Sequence, residues 1–64
     1  MNEKHLTPGD LAEREGVPLK TVYQWNSTGT GPRYMKIGRH VRYRLADVIA
    51  WENERYAENR GSAA

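Results

Sequence analysis

The chain contains no cysteine, which removes both a disulfide framework and a thiolate metal site, two common ways of holding so short a domain together. It contains no phenylalanine, so a core has to be built from a few Leu, Val and Ile with Trp25, Trp51 and some of the four Tyr. No apolar run approaches the roughly 18 residues that a membrane helix needs, and Met1 to Asp10 lacks the apolar stretch of a signal peptide. These absences predict a soluble protein of the reducing cytoplasm. A length of 64 residues makes one domain. Such a domain buries only about 60% of its unfolded surface and has little room for an enclosed active site. No enzyme activity, cofactor or small-molecule substrate is therefore expected.

Acidic residues are missing from a whole stretch of the chain. All eight lie outside Gly16 to Ala46, and six of the ten Lys and Arg lie inside it. The middle stretch thus carries net +6, while Lys4, Arg14, Arg55 and Arg60 against eight acids leave the remainder at −4. The overall +2 conceals one concentrated cationic surface, and a polyanion is the natural partner, because phosphates reward clustered Lys and Arg through counterion release.

Thr7-Pro8-Gly9-Asp10 reads as a helix start, with Thr7 as cap, Pro8 at the first helical position and Asp10 completing a capping box. A helix to about Glu15 buries Leu11 and Ala12 and stops at Gly16. Val17 plugs the gap, Pro18 restarts the chain, and a second helix covers Pro18 to Asn26. Val22 and Trp25 form its inward stripe, while Lys20, Thr21, Tyr23 and Gln24 point away. Two short helices joined by a Gly-containing turn make a helix-turn-helix.

Ser27 to Pro32 has turn composition. Beyond it the pattern alternates, and a three-residue loop, Gly38-Arg39-His40, is expected to pair Ile37 with Val41 and Met35 with Tyr43 on one apolar face. Tyr34, Lys36, Arg42 and Arg44 then occupy the opposite face. From about Ala46 a last helix forms, with Leu45, Val48, Ile49 and Trp51 on its apolar side and Asp47 near its positive end. It frays near Asn59. The expected fold class is mainly α with a small β-hairpin, a winged helix-turn-helix of order α-α-β-β-α. Its expected parts are an N-terminal arm over 1–5, the domain over 6–58 and a disordered tail over 59–64.

These parts divide the work of reading DNA. On the second helix, Gln24 suits paired hydrogen bonds with adenine, Lys20 suits guanine or a phosphate, and Thr21 suits a thymine methyl or a phosphate. In the wing, Lys36, Arg39, His40, Arg42 and Arg44, flanked by Arg33, can follow phosphates, and Arg39 at the tip can enter a narrow minor groove. A polar helical hairpin is often only a solvated surface, and cationic hairpins can simply guard a sheet edge. Edge guards normally carry mixed charge, however, and this hairpin has no acid. Tyr23 and Tyr34 either set a hydroxyl on a phosphate or are plain exposed aromatics, and Tyr43 belongs to the sheet core.

Other chemistries fit less well. Trp25 and Trp51 fall on apolar helix sides, as core residues do, rather than standing out as stacking platforms. His5 and His40 have no neighbouring ligands, so no metal site is expected. His40 is either a proton-gaining phosphate contact or an exposed imidazole. Gly29-Thr30-Gly31 lacks the lysine and the context of a phosphate-binding loop. No grouping of Ser, His and an acid suggests a nucleophile with its base.

Leu6-Thr7-Pro8 through Leu11-Ala12, Gly16-Val17-Pro18, Thr21 to Trp25, Gly29 to Pro32, Ile37 to Arg44 and Asp47 to Trp51 together resemble the MerR-like winged-helix family found in small excisionases. The likeness spans Leu6 to Glu54. It implies major-groove contact for Lys20, Thr21, Tyr23 and Gln24, and backbone or minor-groove contact for Arg39, His40 and Arg42. Pro18 stands where a capping Ser or Thr is common, and Leu45-Ala46 gives the last helix no polar cap. Related domains occur in AlpA-type regulators and in MerR-type transcription factors, and the residues after Trp51 are too few for a MerR-type coiled coil and effector region. The resemblance therefore implies a bacteriophage excisionase. Such a protein acts with an integrase and neighbouring copies of itself on double-stranded DNA, in the nucleoid of a bacterial host. A small AlpA or MerR-like transcriptional regulator is the alternative, and a protein module for an acidic partner is a further class.

Overall fold

A computed structural model describes residues 5–62, with side chains from 5 to 58. The elements run β1 (His5–Leu6), α1 (Pro8–Glu15), α2 (Leu19–Thr28), β2 (Met35–Ile37), β3 (His40–Arg44) and α3 (Leu45–Ser62). Helices and a small antiparallel sheet make the winged helix-turn-helix that the pattern of the sequence implies.

The start of α1 follows from its capping chemistry. Thr7 Oγ1 accepts the Asp10 amide at 3.0 Å, and Asp10 Oδ2 accepts the Thr7 amide at 3.0 Å. Two amides that would otherwise lack partners are satisfied reciprocally. The helix ends at Gly16, whose φ of 71° lets its amide turn back toward the Ala12 and Glu13 carbonyls. Helix α2 begins after Pro18, which supplies no side-chain cap, and extends two residues beyond the predicted Asn26 to Thr28. Thr28 hydrogen-bonds the Gln24 carbonyl at 2.9 Å, and Gly29 turns the chain away with a φ of 74°.

Leu11, Ala12, Val22, Tyr43 and Val48 form the buried core, with Leu6, Val17, Trp25 and Val41 packed around it. Every element except β2 thus contributes apolar contact to one small centre. Leu45 and Ile49, expected on the apolar side of α3, instead stand 37% and 41% exposed, because the helix turns Val48 and Trp51 inward over its first turns. The Tyr43 hydroxyl donates to Asn26 Oδ1 at 2.9 Å and so joins the sheet to α2, while burial raises its pKa. Between α1 and α3, Arg14 grips Glu52 through two hydrogen bonds.

The structure corrects three expectations, two of them in the sheet. The predicted arm over 1–5 ends in a strand: β1 pairs with β3, His5 opposite Arg44 and Leu6 opposite Tyr43, giving the order β1-β3-β2. Residues 1–4 lie outside the described residues.

In the hairpin the register is one residue away from the predicted one. Ile37 pairs with His40, Lys36 with Val41 and Met35 with Arg42, so the loop has two residues, Gly38 and Arg39. Gly38 alone has positive φ, 65°, the pattern of a type II′ turn, whose twist matches that of the strands. A slip of one residue exchanges the faces of β2 relative to β3. Tyr34 and Lys36 therefore share the core-side face with Val41 and Tyr43, and the Tyr34 ring meets Tyr43 edge-on at 6.3 Å. Met35 and Ile37 move to the outer face beside Arg42 and His40, where Ile37 is 50% exposed.

The third correction concerns the end of the chain. Helix α3 continues through Ser62 rather than ending near Asn59, so most of the predicted 59–64 tail is helical backbone; residues 63–64 lie outside the described residues.

Candidate nucleic-acid interface

The outward surface of α2 follows from the side it buries. Val22 is fully buried, and Trp25 and Asn26 are half-buried, which turns Leu19, Lys20, Tyr23, Gln24 and Ser27 to solvent. Lys20, Tyr23 and Gln24 thus stand where the sequence pattern predicts. Thr21 does not share that exposure. It is half-buried at the margin of the outward stripe, two residues and so about 200° around the helix from Tyr23.

Leu19 was absent from the predicted site, although it is 43% exposed in the first turn of α2, one helical turn before Tyr23. The sequence pattern treats a leucine as core by default, and its three-residue separation from Val22 sets it beside the buried stripe, so its exposure shows only in the structure.

The wing carries its charges on more than one face. Arg39 is exposed in the two-residue tip, and His40, Arg42 and Arg44 lie on the outer face of β3. Lys36 lies across the sheet from them, on the Val41 side. Arg42 is half-buried, and its Nη1 donates to the Val41 carbonyl at 2.7 Å, so part of its donor set is already engaged. Arg33, just before β2, joins Arg44, Tyr34, Met35 and Asp47 around an open cleft of about 370 Å³. Asp47, from the first turn of α3, is the acid that lines this cleft.

Charge neutralisation sharpens the contrast. Among the described residues, the ion pairs belong to Arg14, with Glu15 and Glu52, and to Arg55, with Glu58. Lys20, Arg33, Lys36, Arg39, Arg42 and Arg44 form none. The acidic flanks compensate their own cations and leave the middle ones free for an outside anion.

A brace ties α2 and the connector after it to α3. The Trp25 and Trp51 rings meet at 5.1 Å, tilted by 52°. Trp51 Nε1 and Arg55 Nη2 each donate to the Thr30 carbonyl at 3.0 Å, and the Arg55 guanidinium lies 5.7 Å from the Trp51 ring centre. Both tryptophans are therefore packing residues, as their helical positions predict, and the connector from α2 to β2 is tied to α3.

A two-helix unit with an outward polar face, a basic hairpin and uncompensated cations defines a DNA-binding helix-turn-helix domain. Residues 6–56 match the family described as helix-turn-helix domain, and the chain belongs to that family. Its members act by binding DNA in a sequence-specific way, and double-stranded DNA is the partner class. No curated protein and no solved structure matches the chain. No helix of the described residues is long and apolar enough to cross a membrane, and none of their His and acidic side chains group as a metal site would require.

Proposed function

We propose that this protein is an excisionase, an architectural protein that binds repeated attachment-site sequences cooperatively, bends the DNA and directs a phage integrase towards excision. Helix α2 enters the major groove, where Gln24 pairs with adenine, Lys20 reaches guanine or a phosphate, and Tyr23 contacts the groove edge. Thr21, at the margin of the helix face, takes a phosphate. Arg33, Lys36, Arg42 and Arg44 follow the backbone, while Arg39 and His40 approach the minor groove.

The observation that supports DNA contact most directly is the set of six cations between Gly16 and Ala46 that no acid neutralises. The excisionase role rests on the resemblance of Leu6 to Glu54 to small excisionases. In this reading monomers bind direct repeats and touch head to tail, so that the cost of bending is spread along the DNA of the bacterial nucleoid.

The test is a gel shift near physiological salt, with the attachment-site arm beside the neighbouring integrase gene set against a scrambled duplex of equal length. Laddered, cooperative complexes on the arm alone support the excisionase. Preference for a promoter instead supports a small AlpA or MerR-like transcriptional regulator. Binding to neither overturns the DNA-binding reading and leaves a module for an acidic protein partner.

A further inference from the structure

We propose that Leu19 and Tyr23 form an apolar contact on the outward face of α2 that reads the C5-methyl groups of thymine in the major groove. The proposal deepens the DNA-binding reading and rests on it. These two side chains are one helical turn apart, so they stack along a single line of the helix surface. They are 43% and 52% exposed, and neither belongs to the core or to the apolar residues packed against it. Leu19 thus keeps part of its isobutyl group in water in the free protein, apolar area that contact with a thymine methyl would cover.

The surroundings specify which partner fits. Lys20 and Gln24 flank the pair on the same outward face, and no acid occurs from Gly16 to Ala46. An apolar protein surface would have to desolvate Lys20 and Gln24 to reach Leu19. A major groove offers anions and base edges to those two side chains, and the thymine methyl is the apolar group it exposes. The residues near the start of a recognition helix are the ones that approach base edges, and Leu19 is the first residue of α2. Thr21, which the sequence pattern nominates for a thymine methyl, is half-buried and off this line.

Removing a contacted methyl forfeits about the transfer energy of one methylene, which corresponds to a loss of about three- to five-fold in affinity per contacted thymine. The full chain is first used to select duplexes from a randomised pool, and the recovered duplex is then remade with uracil in place of thymine, one step at a time. The expected result is an about three- to five-fold loss at one or two adjacent steps for the unaltered protein. Leu19→Ala should bind the thymine duplex as weakly as the unaltered protein binds the uracil duplex and should no longer distinguish the two. Leu19→Met should keep the distinction.

Equal affinity of the unaltered protein for thymine and uracil duplexes overturns the proposal. So does a selected consensus without thymine in either strand, or a Leu19→Ala variant that still discriminates. Circular dichroism of the variants separates lost discrimination from lost folding. If no duplex is enriched from the pool, the DNA-binding reading fails as well, whereas enrichment without methyl dependence removes this inference alone.

Discussion

Arg14 and Glu52 meet through two parallel hydrogen bonds, Nε to Oε2 at 2.7 Å and Nη2 to Oε1 at 2.9 Å, and Glu15 Oε2 lies 3.7 Å from the same Nε. Glu52 wins the guanidinium. Its carboxyl is lowered to about 2, first by the Arg14 hydrogen bond. Glu15 is raised to about 7, first by burial and then by Glu52. Its Oε2 is buried and has no hydrogen-bond partner, an atom that protonation would convert into a donor toward Glu52.

Opposite shifts give stability a maximum in mild acid. Glu52, lowered in the folded state, contributes stability that is present above the ordinary carboxylate range and is lost as pH falls toward about 2. Glu15, raised in the folded state, contributes stability that is present below that range and is lost as pH climbs through about 7. Thermal unfolding between pH 2 and pH 8 should therefore show a rising and then a falling limb. Glu15→Gln should flatten the falling limb and leave the rising one. An unchanged falling limb in that variant would remove Glu15 as its source.

The hydrogen bond from Tyr43 to Asn26 joins the sheet to α2 at a side chain whose body is fully buried. Tyr43→Phe keeps the ring packing and leaves Asn26 Oδ1 without its donor. Urea unfolding should report a loss of about 1 kcal/mol, with an unchanged m-value.

Gly31 has no room for a side chain. A Cβ there would come within 2.8 Å of Trp25 Cβ, a backbone-proximal atom that cannot swing away. Gly31→Ala should cost about 1–3 kcal/mol and shift the indole fluorescence of the Trp25–Trp51 pair. Unaltered stability would show that the connector and α2 are not held as closely as the 2.8 Å approach implies.

On DNA, Gln24→Ala and Arg42→Ala should behave differently. Gln24→Ala should relax base preference, whereas Arg42→Ala should weaken binding to every sequence and make the salt dependence shallower by about one. If each protomer neutralises about 5 phosphates, the unaltered protein should show a log-log salt slope near −4 to −5. Equal loss on specific and random duplexes for both variants would remove the division of labour between helix and wing.

Much of this architecture was legible in the sequence because its punctuation is local. The Thr7 to Asp10 box and Gly16 settle both ends of α1 within a few residues, whereas the turn-like composition of Ser27 and Thr28 hid the last two residues of α2 before its Gly29 cap. The hairpin register was not legible. Alternation alone places Met35 and Ile37 on the apolar side as readily as Tyr34 and Lys36. The choice is made by Gly38, which favours a two-residue loop, and by the packing of Tyr34 on Tyr43, a contact invisible in a linear pattern. Strand β1 is equally silent, since His5–Leu6 is too short to show a period and exists only through its pairing with Arg44 and Tyr43. For the candidate site, the charge segregation was legible in composition alone, whereas the exposure of Leu19 was hidden by the default that leucine is core. A residue's azimuth on a short helix depends on which neighbour the rest of the fold buries.

Two donors on different turns of α3 converge on one carbonyl, that of Thr30, while the Thr30 amide returns to the Trp25 carbonyl at 3.1 Å. The segment between helix and wing is therefore triangulated, like a joint with a cross-strut, and little freedom is left to lose when both arms engage a ligand at once. Rigidity of this kind favours tight angular tolerance over adaptability. In the proposed complex, a duplex whose groove geometry departs from the arrangement that this strut holds would have to deform more than the protein does.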